Sequence, residues 1–280
     1  MTTNIEDRVA RHYARHDLER VILDALVASG KDVDRLTPDD LAAADEFHTG
    51  GREATVELVR QMAITPDMHV LDIGCGIGGA SRFVAAAYGC RVTGIDLTDD
   101  YVRTAAALAR RLGLTERVAY KQASASALPF EDATFDAAYM MHVGMNIEDK
   151  PGLFTGVRRV LKSGGQFAIY DVMRTGDGEL RFPLHWAADA STSFVEGVDD
   201  YRRGLEAAGF EVIKQRDRGD YARAFFHQVA ARIAEAGGPP PLGTHLLMRE
   251  DVPQKFANAM SNLDGHLIAP IELICRAVRA

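Results

Sequence analysis

Up to about residue 65 the apolar positions recur at helical spacing. Val21, Ile22, Ala25 and Leu26 fall on one face, and Thr37-Pro38-Asp39-Asp40 offers an N-cap, a first-turn proline and two acids at the positive end of a helix. After Pro66 the period changes. His69-Val70-Leu71-Asp72-Ile73 and Arg91-Val92-Thr93-Gly94-Ile95-Asp96 read as buried strands, separated by a helix over about 79–88 that Gly89 closes. The next helix is capped by Thr98, opened by Asp99 and Asp100, carries Arg110 and Arg111 in its last turn and stops at Gly113. Its buried stripe is Tyr101, Ala105, Leu108 and Leu112. Three further strands are predicted over about 118–123, 135–140 and 166–172, with a helix over about 151–161 before the last. Strands over about 211–216 and 271–278 follow helical stretches near 199–208 and 222–236, the second broken by Gly237-Gly238-Pro239-Pro240-Pro241. Strands alternating with helices imply βαβ units and a mostly parallel, doubly wound α/β sheet.

Composition narrows the function. With 280 residues, 47% of them hydrophobic, the chain can bury a large core. The net charge of −8 has both signs interspersed, so no basic face stands ready for a phosphate backbone, and nucleic acid is not an expected partner. Cys75, Cys90 and Cys275 lie far apart, which fits core thiols in a reducing cytoplasm and neither a disulfide framework nor a zinc site. The first ten residues carry Glu6 and Asp7 and no apolar targeting core, and no apolar run is long enough for a membrane helix. A cytoplasmic protein without a membrane partner is expected.

The chemistry-bearing segment is Asp72-Ile73-Gly74-Cys75-Gly76-Ile77-Gly78-Gly79, on the turn from the first predicted strand into the first helix of the sheet. Glycines there let a ligand approach the backbone at the crevice of an open α/β sheet. Gly74, Gly76 and Gly79 also fit the dinucleotide fingerprint, so the loop alone serves two cofactor classes. Asp72 separates them: its carboxylate suits the ammonium of an amino-acid-bearing cofactor and repels a pyrophosphate. Asp96, at the end of the second strand, suits the two ribose hydroxyls of an adenosine in either class.

The run Asp72-x-Gly74-x-Gly76-x-Gly78, then Gly94-Ile95-Asp96, then Leu128-Pro129-Phe130 with Phe135-Asp136, and finally Arg159-Val160-Leu161-Lys162-Ser163-Gly164-Gly165 resembles the class I S-adenosylmethionine-dependent methyltransferases in order and spacing. The likeness, strongest over about 54–172, is to the small-molecule type that acts on sarcosine or dimethylglycine, phosphoethanolamine, sugars and quinones. It implies a Rossmann-like seven-stranded sheet with a reversed C-terminal hairpin, and S-adenosyl-L-methionine as cofactor. It also implies that Asp72, Gly74, Cys75, Gly76, Gly78, Asp96, Leu97, Ser124, Ala125 and His142 contact that cofactor, with Thr49 and Gly50 near its methionine end. Two positions depart from the pattern. Ser124 stands where an aspartate commonly meets the adenine amino group, with Ala123 before it, and Ser163 replaces a turn proline.

Methyl transfer from a sulfonium is an in-line displacement on an electrophile that is already activated, so the protein must align the acceptor, exclude water and in some cases remove a proton. His142 in Met140-Met141-His142-Val143-Gly144-Met145-Asn146 is the candidate base, with Asp171 to orient its imidazole; the alternative is that His142 only packs under the cofactor and Asp171 caps a turn. The resemblance implies that Tyr13 closes over cofactor and substrate. Met145, Asn146, Phe182, His185 and Trp186 are candidate acceptor contacts. Domain boundaries are read as an N-terminal helical lid over 1–52, a cofactor-binding core over 53–176, an acceptor-binding insertion over 177–198, and the end of the sheet over 199–280 with a helical cap at about 222–269. The cap region supplies carboxylates for an amine acceptor (Asp189, Glu196, Asp199) and aromatics for an apolar one (Phe182, Trp186, Phe194), and does not choose. No closely spaced acid and histidine set implies a metal, and a homodimer is consistent with the chain. The rival readings are a cyclase or scaffold that binds the same cofactor without methylating, and a nicotinamide-dependent oxidoreductase.

Overall fold

The computed structural model describes residues 4–248 and 250–278. Four helices come first: α1 (Ile5–Tyr13), α2 (Leu18–Ala28), α3 (Pro38–Asp45) and α4 (Gly51–Val59). The alternating region runs β1 (His69–Ile73), α5 (Gly79–Tyr88), β2 (Arg91–Asp96), α6 (Asp99–Arg111), β3 (Val118–Gln122), β4 (Phe135–Met141), α7 (Lys150–Val160) and β5 (Leu161–Arg174). It is completed by α8 (Val198–Ala207), β6 (Phe210–Asp217), α9 (Gly219–Glu235), α10 (Val252–Asp264) and β7 (Ile268–Ala277).

One seven-stranded sheet has the order β3-β2-β1-β4-β5-β7-β6. Strands β1 to β5 pair in parallel, and β7 lies antiparallel between β5 and β6, which is the expected reversed hairpin. The strand order reverses between β1 and β4, so a crevice opens at their carboxyl ends.

Side-chain parity along the strands builds two cores. On β4, Ala138 and Met140, with Phe135 from before the register shift, join Leu153, Phe154, Val157 and Tyr201 of α7 and α8, while Ala137, Tyr139 and Met141 join Leu58, Val84 and Ala85 of α4 and α5. On β5, Phe167 and Ile169 join the first core, and Ala168 and Tyr170 the second.

Local signals explain the helix ends. The amide and hydroxyl of Thr37 both donate to the Asp40 carboxylate at the start of α3, and Asp149 caps α7 by accepting from the Gly152 amide. One boundary differs from the expectation: β5 begins at Leu161, not near Gln166. Leu161 pairs with Phe135 before the chain turns at Gly164, and the register shift between Phe135 and Ala137 absorbs the extra residues.

The N-terminal helices dock over the carboxyl edge through Leu18, Ile22, Leu26 and Leu41, which pack with Ile77, Tyr101 and Leu108. Across the crevice, α9 and α10 pack on the segment that follows β5, through Phe226, Ala259 and Leu263 against Leu184, Trp186 and Ala187. Among the described residues, no helix is long and apolar enough to cross a membrane.

Candidate functional site

A cavity of about 1930 Å³ lies between the glycine loop, the N-terminal helices and the α9–α10 pair. Pockets for single small ligands run from about 300 to 1,000 Å³, so this volume accommodates two. At Gly76 the backbone is left-handed (φ +54), and a Cβ would point into open space with nothing within 4 Å, so the loop presents bare main chain to a ligand.

Asp72 and Asp96 border the same wall. Asp72 Oδ2 accepts from the Ser81 hydroxyl and, at 3.0 Å, from Tyr139. Burial pushes its carboxyl up to about 7, against the lowering effect of those two hydroxyls. Asp96 is held by the amides of Gly76 at 2.9 Å and Thr98 at 2.8 Å, one on each oxygen. A carboxylate has about four acceptor positions, so each oxygen keeps capacity for one hydroxyl of a vicinal diol. Ser124 donates to Glu6 of α1, which brings the first helix over this end of the cavity. Cys75, Leu97 and Ala125 also line it.

His142 sits at the end of β4 in a left-handed conformation (φ 56). Its Nδ1 lies 3.2 Å from the Tyr170 carbonyl, which only accepts, so Nδ1 carries the hydrogen. Nε2 is then an acceptor, and both the hydroxyl (3.1 Å) and the amide (3.4 Å) of Thr49 point to it. Burial, aided by the neighbouring His48, lowers the imidazole to about 3, which keeps it neutral at physiological pH.

Asp171 does not orient His142. Strand parity sends Tyr170 and Asp171 to opposite faces of β5, and the Asp171 carboxylate accepts from the Tyr201 hydroxyl at 2.7 Å and from the Val172 amide. It is fully buried under α8, off the cavity wall. Asp171→Ala is therefore expected to cost about 1–3 kcal/mol of stability by orphaning Tyr201. Thermal melts should show that loss, while the pH profile of turnover stays unchanged.

The remaining expected residues divide. Tyr13 donates to Asn146 Oδ1 at 3.0 Å, and Asn146 in turn donates to the carbonyls of Trp186 and Thr192, so α1, the β4 loop and the segment after β5 converge. Met145, His185 and Trp186 line the cavity with them. Gly50, Gly78 and Phe182 lie off the wall. Added Cβ atoms at Gly50 and Gly78 would strike Tyr221 and Tyr120, so both serve packing, and Phe182 packs among apolar residues of the cap. Glu6 and the aromatic wall of the expected cap, where Phe225, Phe226 and Phe256 face the cavity, are functional-site residues that no sequence motif marks. The Phe225-Phe226 pair was the available signal.

Comparison with known proteins accords with this geometry. Residues 71–169 match the family described as "Methyltransferase domain". The sterol 24-C-methyltransferase of Eremothecium gossypii is 32% identical over 169 residues, covering 58% of this chain and 45% of that protein. Phosphoethanolamine N-methyltransferase 1 of Zea mays is 34% identical over 173 residues, covering 61% of this chain and 34% of that one. The chain thus spans less than half the length of these curated relatives. Among solved structures, the [4+2]-cyclase SpnF has a TM-score of 0.69 at 24% identity, covering 95% of this chain and 94% of its own. Geranyl diphosphate C-methyltransferase from Streptomyces coelicolor A3(2) has a TM-score of 0.70 at 17% identity, covering 99% of both chains. Over residues 71–169 the chain is similar to a methyltransferase domain, and it has the fold of the class I S-adenosylmethionine-dependent methyltransferases.

Proposed function

We propose that the chain transfers the methyl group of S-adenosyl-L-methionine to a small molecule held in the same cavity. One observation carries this reading: a single cavity joins the bare glycine loop and the Asp96 carboxylate to a second, aromatic-walled chamber over the same strand ends. The residues present fit the cofactor. Gly76 admits it to the backbone, Asp96 suits its ribose hydroxyls, and Asp72 suits its ammonium. When bound, it supplies an activated methyl on sulfur. The protein then orients the acceptor and keeps water out. Tyr13, tied to Asn146, closes the chamber from α1, and burial keeps its phenol protonated.

His142 serves as a neutral acceptor of a hydrogen bond. An acceptor hydroxyl or N–H that displaces the Thr49 hydroxyl from Nε2 would be aligned by it. His142→Ala is expected to lower turnover about 100-fold, the lower end of what one positioned acid–base group contributes. Affinity for S-adenosylhomocysteine should change far less, and an unchanged rate would remove His142 from the mechanism.

The relatives named above act, by their names, on a sterol carbon and on an amine nitrogen, so the shared core does not select the acceptor. Three free, buried cysteines accord with a cytoplasmic setting. The direct test is calorimetric binding of S-adenosylhomocysteine, followed by transfer of a labelled methyl from S-adenosylmethionine. Affinity for NADH with none for S-adenosylhomocysteine would overturn the reading. Conversion of an acceptor without label would replace it by a cyclase or scaffold role.

A further inference from the structure

We infer that the α9–α10 half of the cavity binds a neutral, elongated, mainly apolar acceptor whose one polar group meets the His185 ring; this rests on the methyltransferase reading above. The volume beyond a first ligand is walled by Phe225, Phe226 and Phe256, with Trp186 beside them. The rings interlock, with centroids 5.9 Å apart for Phe225 and Phe226 and 5.0 Å for Phe226 and Phe256, giving a continuous aromatic surface.

The charges deny the alternatives. An ammonium needs a carboxylate in this half, and the carboxylates inside the cavity stand on the cofactor side: Asp45 with Arg82, Glu46 with Arg52, Asp72, Asp96 on the Gly76 and Thr98 amides, and Glu6 on Ser124. Glu148 and Asp149 are exposed at the rim. The cap acids that would serve an amine are off the wall: Glu196 pairs with Lys150 and Asp189 bonds Ser191. A phosphate needs cations, and the two arginines on the wall do not supply a cluster. Arg52 is engaged by Glu46 and Asp39, and Arg232 is exposed at the end of α9. Lys255 is buried on α10, off the wall, close enough to His185 to disfavour its protonation.

His185 is the imidazole set among these rings, while Thr244 and His245, between α9 and α10, add polar groups to the same cavity. The His185 ring lies 6.0 Å from that of Phe226, and no hydrogen bond to it occurs among the described residues; only its backbone carbonyl is engaged, by His12. Burial lowers the imidazole to about 4, so it offers a neutral donor and a neutral acceptor. That pair recognises a hydroxyl or carbonyl on an otherwise apolar molecule, and a charged headgroup gains nothing from it.

Trp186, the sole tryptophan, reports on the chamber directly. With the protein saturated with S-adenosylhomocysteine, progesterone or farnesol should shift Trp186 emission saturably at 1:1 stoichiometry, and phosphoethanolamine or sarcosine should not. Phe226→Asp should weaken progesterone at least tenfold, as should Phe225→Asp at a half-buried position that folding tolerates better. Both variants should keep their S-adenosylhomocysteine affinity, which also certifies the fold. His185→Phe should weaken progesterone several-fold, and His185→Gln should recover part of the loss. A response to phosphoethanolamine or sarcosine, no response to either neutral probe, or progesterone binding indifferent to both aspartates overturns the inference. If S-adenosylhomocysteine binds in those cases, the methyltransferase reading survives; if it does not bind at all, that reading fails first.

Discussion

Asp72→Asn should weaken S-adenosylhomocysteine at least tenfold at pH 7.5 and abolish the pH dependence of its binding. The wild-type carboxyl is held at about 7 by burial, so in the free protein it is half protonated near neutrality. Only the ionised form attracts the ligand's ammonium. Affinity should therefore rise roughly eightfold between pH 6 and 7.5, as one proton leaves a group with that pKa. Stability runs the other way. A folded-state pKa above the unfolded one means that the folded chain keeps a proton the unfolded chain has lost, so this group's contribution falls as pH rises from about 4 to about 7. Asn keeps the shape and an acceptor for Ser81 and Tyr139, so the unliganded variant should melt no earlier than wild type above pH 7. Calorimetry across pH and melts of the unliganded proteins check both signs. A variant that binds as tightly as wild type at pH 7.5 would take Asp72 out of cofactor recognition.

The sequence discloses the α/β core well, because its signals are local. Val70-Leu71-Asp72-Ile73 is a strand buried on both faces and reads as a nearly unbroken apolar run, and Thr98 with two acids and two terminal arginines brackets the 13 residues of α6. The start of β5 was hidden because Leu161 is recruited by Phe135 across the sheet, while Lys162-Ser163-Gly164-Gly165 reads as a plain turn. Asp171 was misplaced for a related reason. Its position in the chain brings it to the carboxyl edge, but its face is fixed by parity with Phe167 and Ile169, which is apparent only once the register is known. The glycine loop and Asp96 were legible because a fixed turn carries them. The α9–α10 wall was not, because an aromatic pair on a helix looks the same whether it fills a core or lines a chamber.

Arg82 should prove the most sensitive position outside the ligand contacts. Its side chain is fully buried on α5, with Nη2 on the Asp45 carboxylate at the end of α3 and Nη1 on the Ile77 carbonyl of the glycine loop at 2.7 Å. The helices meet closely here: a Cβ on Gly79 would lie 2.3 Å from the Asp45 carbonyl oxygen. Arg82→Met keeps much of the volume and leaves Asp45 buried without its cation, so that it either bears an uncompensated charge or takes up a proton. Such a loss costs about 3–5 kcal/mol. In a chain of this size that lowers the melting temperature by roughly 10 °C. Burial already holds Asp45 above the usual carboxylate range, and losing Arg82 raises it further, so protonation at lower pH should narrow the gap between variant and wild type. Adding Asp45→Asn should recover much of the stability, since replacing both partners of a buried pair removes the uncompensated charge. It should not restore full affinity for S-adenosylhomocysteine, because the Ile77 carbonyl still lacks its donor. Melts that recover in the double variant while binding stays weak would separate the pair's two roles, fastening the N-terminal helices and setting the glycine loop; full recovery of binding would confine Arg82 to the first.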